Sequence, residues 1–194
     1  MKKLALAMLA LPLSGCISFA PKPPPSMLML RSDAQVPIAQ TQNSGAAATI
    51  TINVPSVTQE IATARVPVRA SDTSVAYLKN GQWVEAPQRL FARLLVDTVT
   101  ARTGRVVLST RQSMLDPGAE LTGELRDFGL DAGTHQAGVV FDATLLRGKG
   151  VPAFEKRRFE ARVPVAAIDA ASAGPALSQA ANQVAGQVAD WIGK

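Results

Sequence analysis

Few side chains in this chain could carry chemistry. Among its 194 residues there is one cysteine, Cys16, and one histidine, His135. A lone thiol can accept an acyl or thioether group, but it has no partner for a disulfide. A lone imidazole cannot build a triad without a second base, and one histidine with one cysteine cannot furnish a metal site. His135 falls in a stretch, Asp131 to His135, that reads as a solvated hairpin loop. Gly148-Lys149-Gly150 lacks the upstream glycine of a phosphate loop and the Ser or Thr after its lysine, so it reads as a turn. The carboxylates Glu120, Glu124, Asp127 and Asp131 could pair as acid and base, yet their mixed spacing fixes no geometry. These residues point away from an enzyme and imply neither cofactor nor metal.

The surroundings of Cys16 are more specific. Met1-Lys2-Lys3 leads into the apolar run Leu4 to Leu13 and then Leu13-Ser14-Gly15-Cys16. Two lysines, a short apolar segment and small residues before the cysteine are the order of a secretory signal peptide, and the run is too short for a permanent membrane span. Leu-Ser-Gly-Cys resembles the bacterial lipobox, in which the cysteine accepts a diacylglyceryl thioether, the preceding peptide is removed and the new amino terminus is acylated. Several acyl chains make such an attachment effectively permanent, because each buried methylene contributes about 0.8 kcal/mol. The alternative is an ordinary signal peptide with a cysteine near its cleavage site. The organisation expected is therefore residues 1–15 as signal peptide, 16–26 as lipidated cysteine and tether, and 27–194 as one domain.

Composition narrows the remaining classes. Cleavage before Cys16 removes 15 of the 194 residues and leaves 179, enough for one domain with a real core. Lys2 and Lys3 leave as well, so 18 of the 20 basic side chains face 15 acidic ones, a balance of only +3. The basic residues are scattered and 5% of the chain is aromatic, which argues against a nucleic-acid partner in spite of a pI near 9.8. Ala20-Pro21-Lys22-Pro23-Pro24-Pro25-Ser26 favours an extended polyproline spacer, so Met27 stands at most roughly 30 Å from Cys16, at about 3.1 Å per residue.

Patterning then gives the elements. Met27-Leu28-Met29-Leu30 reads as a short first strand, followed by a poorly ordered loop from Ala34 to Ala48. Ile50, Ile52 and Val54 alternate as a half-buried strand, and Arg65-Val66-Pro67-Val68-Arg69 suits an edge or irregular strand. Asn80-Gly81, between Val75–Lys79 and Gln82–Glu85, signals a two-residue hairpin turn that would bring Tyr77 and Trp83 together. Trp83 suits core packing or a ligand contact. Pro87 opens and Gly104 closes an amphipathic helix with Leu90, Phe91, Leu94, Leu95 and Val99 on one stripe. Further strands follow through Val106-Val107-Leu108, Leu121 to Leu130 with a bulge near Asp127, Ala137 to Leu145, and Phe159 to Val163. A last helix opens at Gly174-Pro175 and buries Leu177, Val184, Val188 and Trp191. The expected class is α+β: one mainly antiparallel sheet with two long amphipathic helices on one face.

This order of features resembles the ABC-type transport auxiliary lipoprotein family, which includes the PqiC-like lipoproteins. The residues that carry the likeness are the lipobox, the Ile-rich strand, Arg65 to Arg69, Tyr77 with Trp83-Val84-Glu85, the Pro87 helix and a meander ending in an amphipathic helix. Met-Leu-Met-Leu stands where many members have a tyrosine in the first strand. The resemblance implies a lipid-anchored, periplasm-facing protein in the bacterial cell envelope, at the outer membrane. Ile17 after the cysteine, rather than Asp, agrees with outer-membrane sorting. It implies as partners an MCE-type substrate-binding protein with its ABC permease and ATPase, moving phospholipid or other lipid between inner and outer membranes. A ring of identical copies formed through exposed strand edges is a further expectation. The candidate partner surface comprises Arg65, Arg69, Tyr77, Trp83 and Glu85. An envelope assembly or structural lipoprotein without a transporter is the alternative reading.

Overall fold

In the computed structural model, which describes residues 26–116, 118–147 and 153–193, the chain runs β1 (Thr49–Ile52), β2 (Ser56–Val57), β3 (Arg65–Ser71), β4 (Ser74–Gln82), α1 (Pro87–Thr103), β5 (Val106–Leu108), α2 (Thr110–Ser113), β6 (Ala119–Asp131), β7 (Gln136–Leu146), β8 (Phe154–Pro164) and α3 (Ala170–Ile192). The expected signal peptide, Cys16, the proline run and the Gly148-Lys149-Gly150 turn lie outside the described residues.

β6 is the spine of the sheet. One of its sides pairs antiparallel with β7 from Glu120 to Asp131, and β7 pairs antiparallel with β8, giving the expected meander. Its other side takes three parallel partners in succession: β1 at Ala119 to Leu121, β2 at Glu124 and Leu125, and β3 at Leu130 and Asp131. β5 adds to β1 in parallel and β4 to β3 antiparallel. The eight strands thus form one mixed sheet in an α+β domain, whose long ladders are antiparallel and whose parallel joints are short. Ile50 is buried as expected, but Thr49 and Thr51 are buried too, because β1 is flanked in the plane by β5 and β6. Val54 lies beyond the end of β1 and is exposed.

The expected bulge is present. Leu125 pairs with Phe141 and Asp127 with Val140, so Arg126 is the extra residue. Before it Leu121 and Leu125 point into the core; after it Phe128 and Leu130 do. The phase shift turns Asp127 to the outer face.

α1 begins at Pro87, whose missing N–H leaves nothing unsatisfied in a first turn, and stops at Gly104, which adopts φ 67° and donates its N–H to Thr100 O at 3.1 Å. Leu90, Phe91, Leu94, Leu95 and Val99 are all buried. α3 starts a turn earlier than the Gly174-Pro175 signal suggests. Asp169 is its N-cap, accepting from Ser172 N at 2.8 Å, and Pro175 sits inside the helix near its start. A strong cap outweighs the proline there, since only one hydrogen bond, that to Ala171 O, is forgone. Ala173, Ala180, Ala181, Ala185 and Ala189 line the buried face and let α3 approach α1 and the sheet closely. Between helices and sheet lies one core, in which Phe91 meets Phe128 and Phe141 with ring centroids 6.4 and 5.4 Å apart, and Phe159 meets Trp191 at 5.5 Å.

Two local expectations are corrected. Met27–Leu30 is not a strand but a single parallel bridge of Leu28 to Trp83, closed by Leu28 N to Gln82 O at 2.7 Å and Val84 N to Leu28 O at 2.9 Å. Asn80-Gly81 is not a hairpin turn either; both residues lie inside β4, and the chain reverses at Asp72-Thr73, where the Ser71 and Ser74 hydroxyls meet at 2.8 Å. The register passes from Pro67↔Tyr77 to Arg65↔Gln82, so the surplus of β4 is taken up as a bulge, with Asn80 at φ 56°. The left-handed conformation that makes Asn-Gly a turn signal serves a bulge equally well, and both flanking runs pair with β3 rather than with each other. β3 is irregular as expected, but it is internal; β4 is the edge.

Candidate partner surface

Alternation along β3 buries Val66 and Val68 and turns Arg65 and Arg69 outward. The register sets Tyr77 opposite Pro67 and Val75 opposite Arg69, on the same outer face. Arg65 lies over the Tyr77 ring, its Cζ 3.9 Å from the centroid. Such an exposed cation–π contact is worth about 0.5–1 kcal/mol and holds two long side chains in a fixed arrangement on the sheet surface.

That face continues as a field of charge across β6, β7 and β8. Arg158 grips Asp142 with two bonds, at 2.6 and 2.7 Å, and holds its carboxyl below the usual carboxylate range. Arg126 bridges Glu124 at 3.3 Å and Asp142 at 3.7 Å. Arg162 joins Glu160 at 2.7 Å and Asp127 at 2.9 Å. Burial pushes the Asp127 carboxyl up, against the pull of Arg162 and, next, of Arg69. The outer face is thus wet and charged, which explains why both long helices cover the other one.

The five residues proposed from the sequence divide. Arg65, Tyr77 and Arg69 come together as described. Trp83 does not join them: it is fully buried, 5.4 Å from Phe128, with its Nε1 lacking a partner among the described residues. Beyond the β4 bulge the alternation sends Gly81 and Trp83 inward, and the large indole fills the core. Trp83 therefore leaves the candidate surface. Glu85 is held by Arg93 and by Arg89, the latter at 3.6 Å, at the start of α1, where a carboxylate also favours the helix dipole. The hydrogen bond from Arg93 lowers its pKa.

The carboxylates that could have formed an acid–base pair are each engaged separately. Glu120 accepts from Asn53 at 2.7 Å, Glu124 from Arg126, Asp127 from Arg162, and Asp131 from Thr134 N at 2.8 Å in the β6–β7 turn. His135 is exposed in that turn at φ 52°. Among the described residues no three His, Cys, Asp or Glu side chains gather as a metal site, and no helix is long and apolar enough to cross a membrane. The sequence reasoning missed a pair of arginines, Arg105 and Arg147, that meet at the end of α3. One follows the glycine cap of α1 and the other ends a strictly alternating strand, positions from which convergence could have been suspected.

Comparison with known proteins bears on all of this. The family model described as ABC-type transport auxiliary lipoprotein component matches residues 30–189. Among solved structures, a protein from Xanthomonas campestris superposes with a TM-score of 0.67 at 20% identity, covering 86% of this chain and 93% of its own. A second, described as an uncharacterized protein, gives 0.63 at 17% identity, covering 75% and 92%. At these identities the structures attest the fold alone. No curated protein matches the chain. The match of the family model over most of the chain, on the α+β fold described above, shows that the chain belongs to the ABC-type transport auxiliary lipoprotein component family.

Proposed function

We propose that this auxiliary lipoprotein is the non-catalytic docking subunit of an ABC transporter whose MCE-type substrate-binding protein carries phospholipid or other lipid between the inner and outer membranes. Acylation at Cys16 tethers the domain to the outer membrane, facing the periplasm, and the proline-rich spacer keeps it close. The observation that carries the docking role is Arg65 fixed over Tyr77 beside Arg69, on a hairpin whose outer strand, β4, is a sheet edge. A half-buried aromatic, two exposed arginines and unpaired strand groups are the composition of a protein-binding surface. Charge here selects the partner and speeds its approach.

Pull-down of the full-length protein against an MCE-type substrate-binding protein from the same cell tests the reading. Wild type should bind, and Arg65→Glu with Arg69→Glu should weaken binding while leaving the melting temperature within a few degrees. No binding by folded wild type rejects the transporter partnership; equal binding by the folded variant clears this surface of the role.

A further inference from the structure

At the end of the sheet where β1 and β6 begin and α3 finishes lies a half-open cavity of about 310 Å³, at the lower limit of small-molecule sites. Ala48, Ala119, Leu145 and Ile192 supply apolar wall, and Arg105 and Arg147 supply guanidinium groups. Arg147 is occupied: it meets Glu155 at 2.6 Å and the carbonyls of Trp191 and Ile192 at 3.3 and 3.4 Å. That arrangement already satisfies the negative end of α3.

Arg105 is different. The one described hydrogen bond of its guanidinium is a long one, 3.4 Å, to the Ile192 carbonyl that Arg147 also uses. Asp116 is the one carboxylate among the described lining residues, and it forms no ion pair with either arginine among the described residues. Burial and, after it, the like charge of Arg147 both depress the pKa of Arg105. Glu155 thus neutralises Arg147, while half-buried Arg105 has no carboxylate within ion-pair distance among the described residues, an arrangement that an anion relieves.

The surroundings supply the second half of the ligand. Met114 and Leu115, 77% and 90% exposed, come just before Asp116, which lines the cavity. Two large apolar side chains held in water beside the recess are surface that an apolar chain would cover.

We propose that this cavity binds the anionic head of an amphiphile, a phosphate or carboxylate held by Arg105 with the charge of Arg147 beside it, whose apolar part runs out over Met114 and Leu115. The recess has room for a head and its first methylenes, so the tail lies outside it. The site is separate from the β3–β4 surface, and its failure would leave the pull-down untouched.

The test is calorimetric titration of the full-length protein in phosphatidylcholine nanodiscs, with empty discs subtracted. The probes are dihexanoyl phosphatidic acid, dihexanoyl phosphatidylcholine and inorganic phosphate. Wild type should bind the phosphatidic acid at least about tenfold more tightly than either other probe, and Arg105→Glu should lose about tenfold or more, the worth of one charge-assisted hydrogen bond. Should Arg105→Glu fail to fold, Met114→Ser with Leu115→Ser, both on exposed positions, must weaken the phosphatidic acid and leave phosphate unchanged. Phosphate binding as tightly as the lipid overturns the amphiphile in favour of a free anion. Binding of none of the probes, or equal binding by a folded Arg105→Glu, overturns the site.

Discussion

Arg162 of β8 reaches across β7 to place Nη1 2.9 Å from Oδ2 of Asp127 on β6, and it passes directly over Gly138. A Cβ at residue 138 would lie 2.2 Å from that Nη1 and 3.1 Å from the carboxylate, so the bridge exists because the middle strand carries no side chain there. The β6 bulge and the bare point on β7 together let one ion pair tie three strands on the outer face.

The same pair gives a pH signature. Burial outweighs its arginine partners, so folded Asp127 holds its proton more tightly than the unfolded chain does. Stability therefore falls as pH rises from the ordinary carboxylate range, near pH 4, through the raised value of Asp127. Asp127→Asn removes this component, so the melting temperature of wild type relative to the variant should improve on going from about pH 7 to about pH 4. Asp142 and Glu155, whose carboxyls are held down by arginine hydrogen bonds, lose stability in the opposite direction but do so in both proteins. A difference that stays constant with pH rejects the assignment.

Leu94 is 2% exposed at the centre of the α1 stripe. Leu94→Ala should cost about 2–5 kcal/mol through lost burial and an unfilled cavity. Urea denaturation followed by circular dichroism measures it, and an unchanged midpoint would mean the stripe is not core.

Asn80 occupies the left-handed region within the β4 bulge while its side chain is exposed. Asn80→Gly should be tolerated, whereas Asn80→Val should cost about 1–2 kcal/mol more from backbone strain alone. Equal stabilities of the two variants would show that the bulge relaxes.

Cys16→Ser should leave an unprocessed, membrane-retained precursor, because the thiol is the acceptor on which cleavage depends. Intact-mass spectrometry reads this directly; the same cleaved and unacylated species in wild type and variant would end the anchor proposal.

What the sequence disclosed, it disclosed where one local cause dominates. Pro87 and Gly104 bound α1, and strict alternation drew β7 and β8, because proline geometry, a glycine cap and the pleat are decided within a few residues. The Asp127 bulge was legible for the same reason: a phase slip is visible in the apolar pattern itself. The failures share the opposite property. Asn80-Gly81 names a backbone conformation without naming which strands will use it, and Asp169 capped α3 from a turn upstream of a louder Gly-Pro signal. Of the candidate surface, Arg65 and Tyr77 proved neighbours because pairing brought them opposite one another, while Trp83 was claimed by Phe128 from a strand some forty-five residues away. The Arg105 and Arg147 recess was harder to read, because the ends of α1, β7 and α3, far apart in sequence, had to meet to form it.

The one-sided reliance on β6 also orders events in time. Its parallel neighbours are about 60 to 70 residues distant in sequence, Ile50 with Ala119 and Val68 with Leu130, whereas β7 and β8 follow it at hairpin range. Closing long loops is slow and local reversals are fast, so the meander should assemble first and act as template for the rest. Synthesis runs the other way: β1, β2 and β3 emerge from the ribosome long before β6, the strand that joins them in one sheet, exists. Until β6 arrives, the β3–β4 hairpin and the β1–β5 pair have no strand to join them into one sheet, which makes the first half of the newborn chain the part most in need of a chaperone. Pulsed hydrogen exchange during refolding should accordingly protect the amides of Val139 and Phe141 before that of Thr51, and simultaneous protection would refute the order.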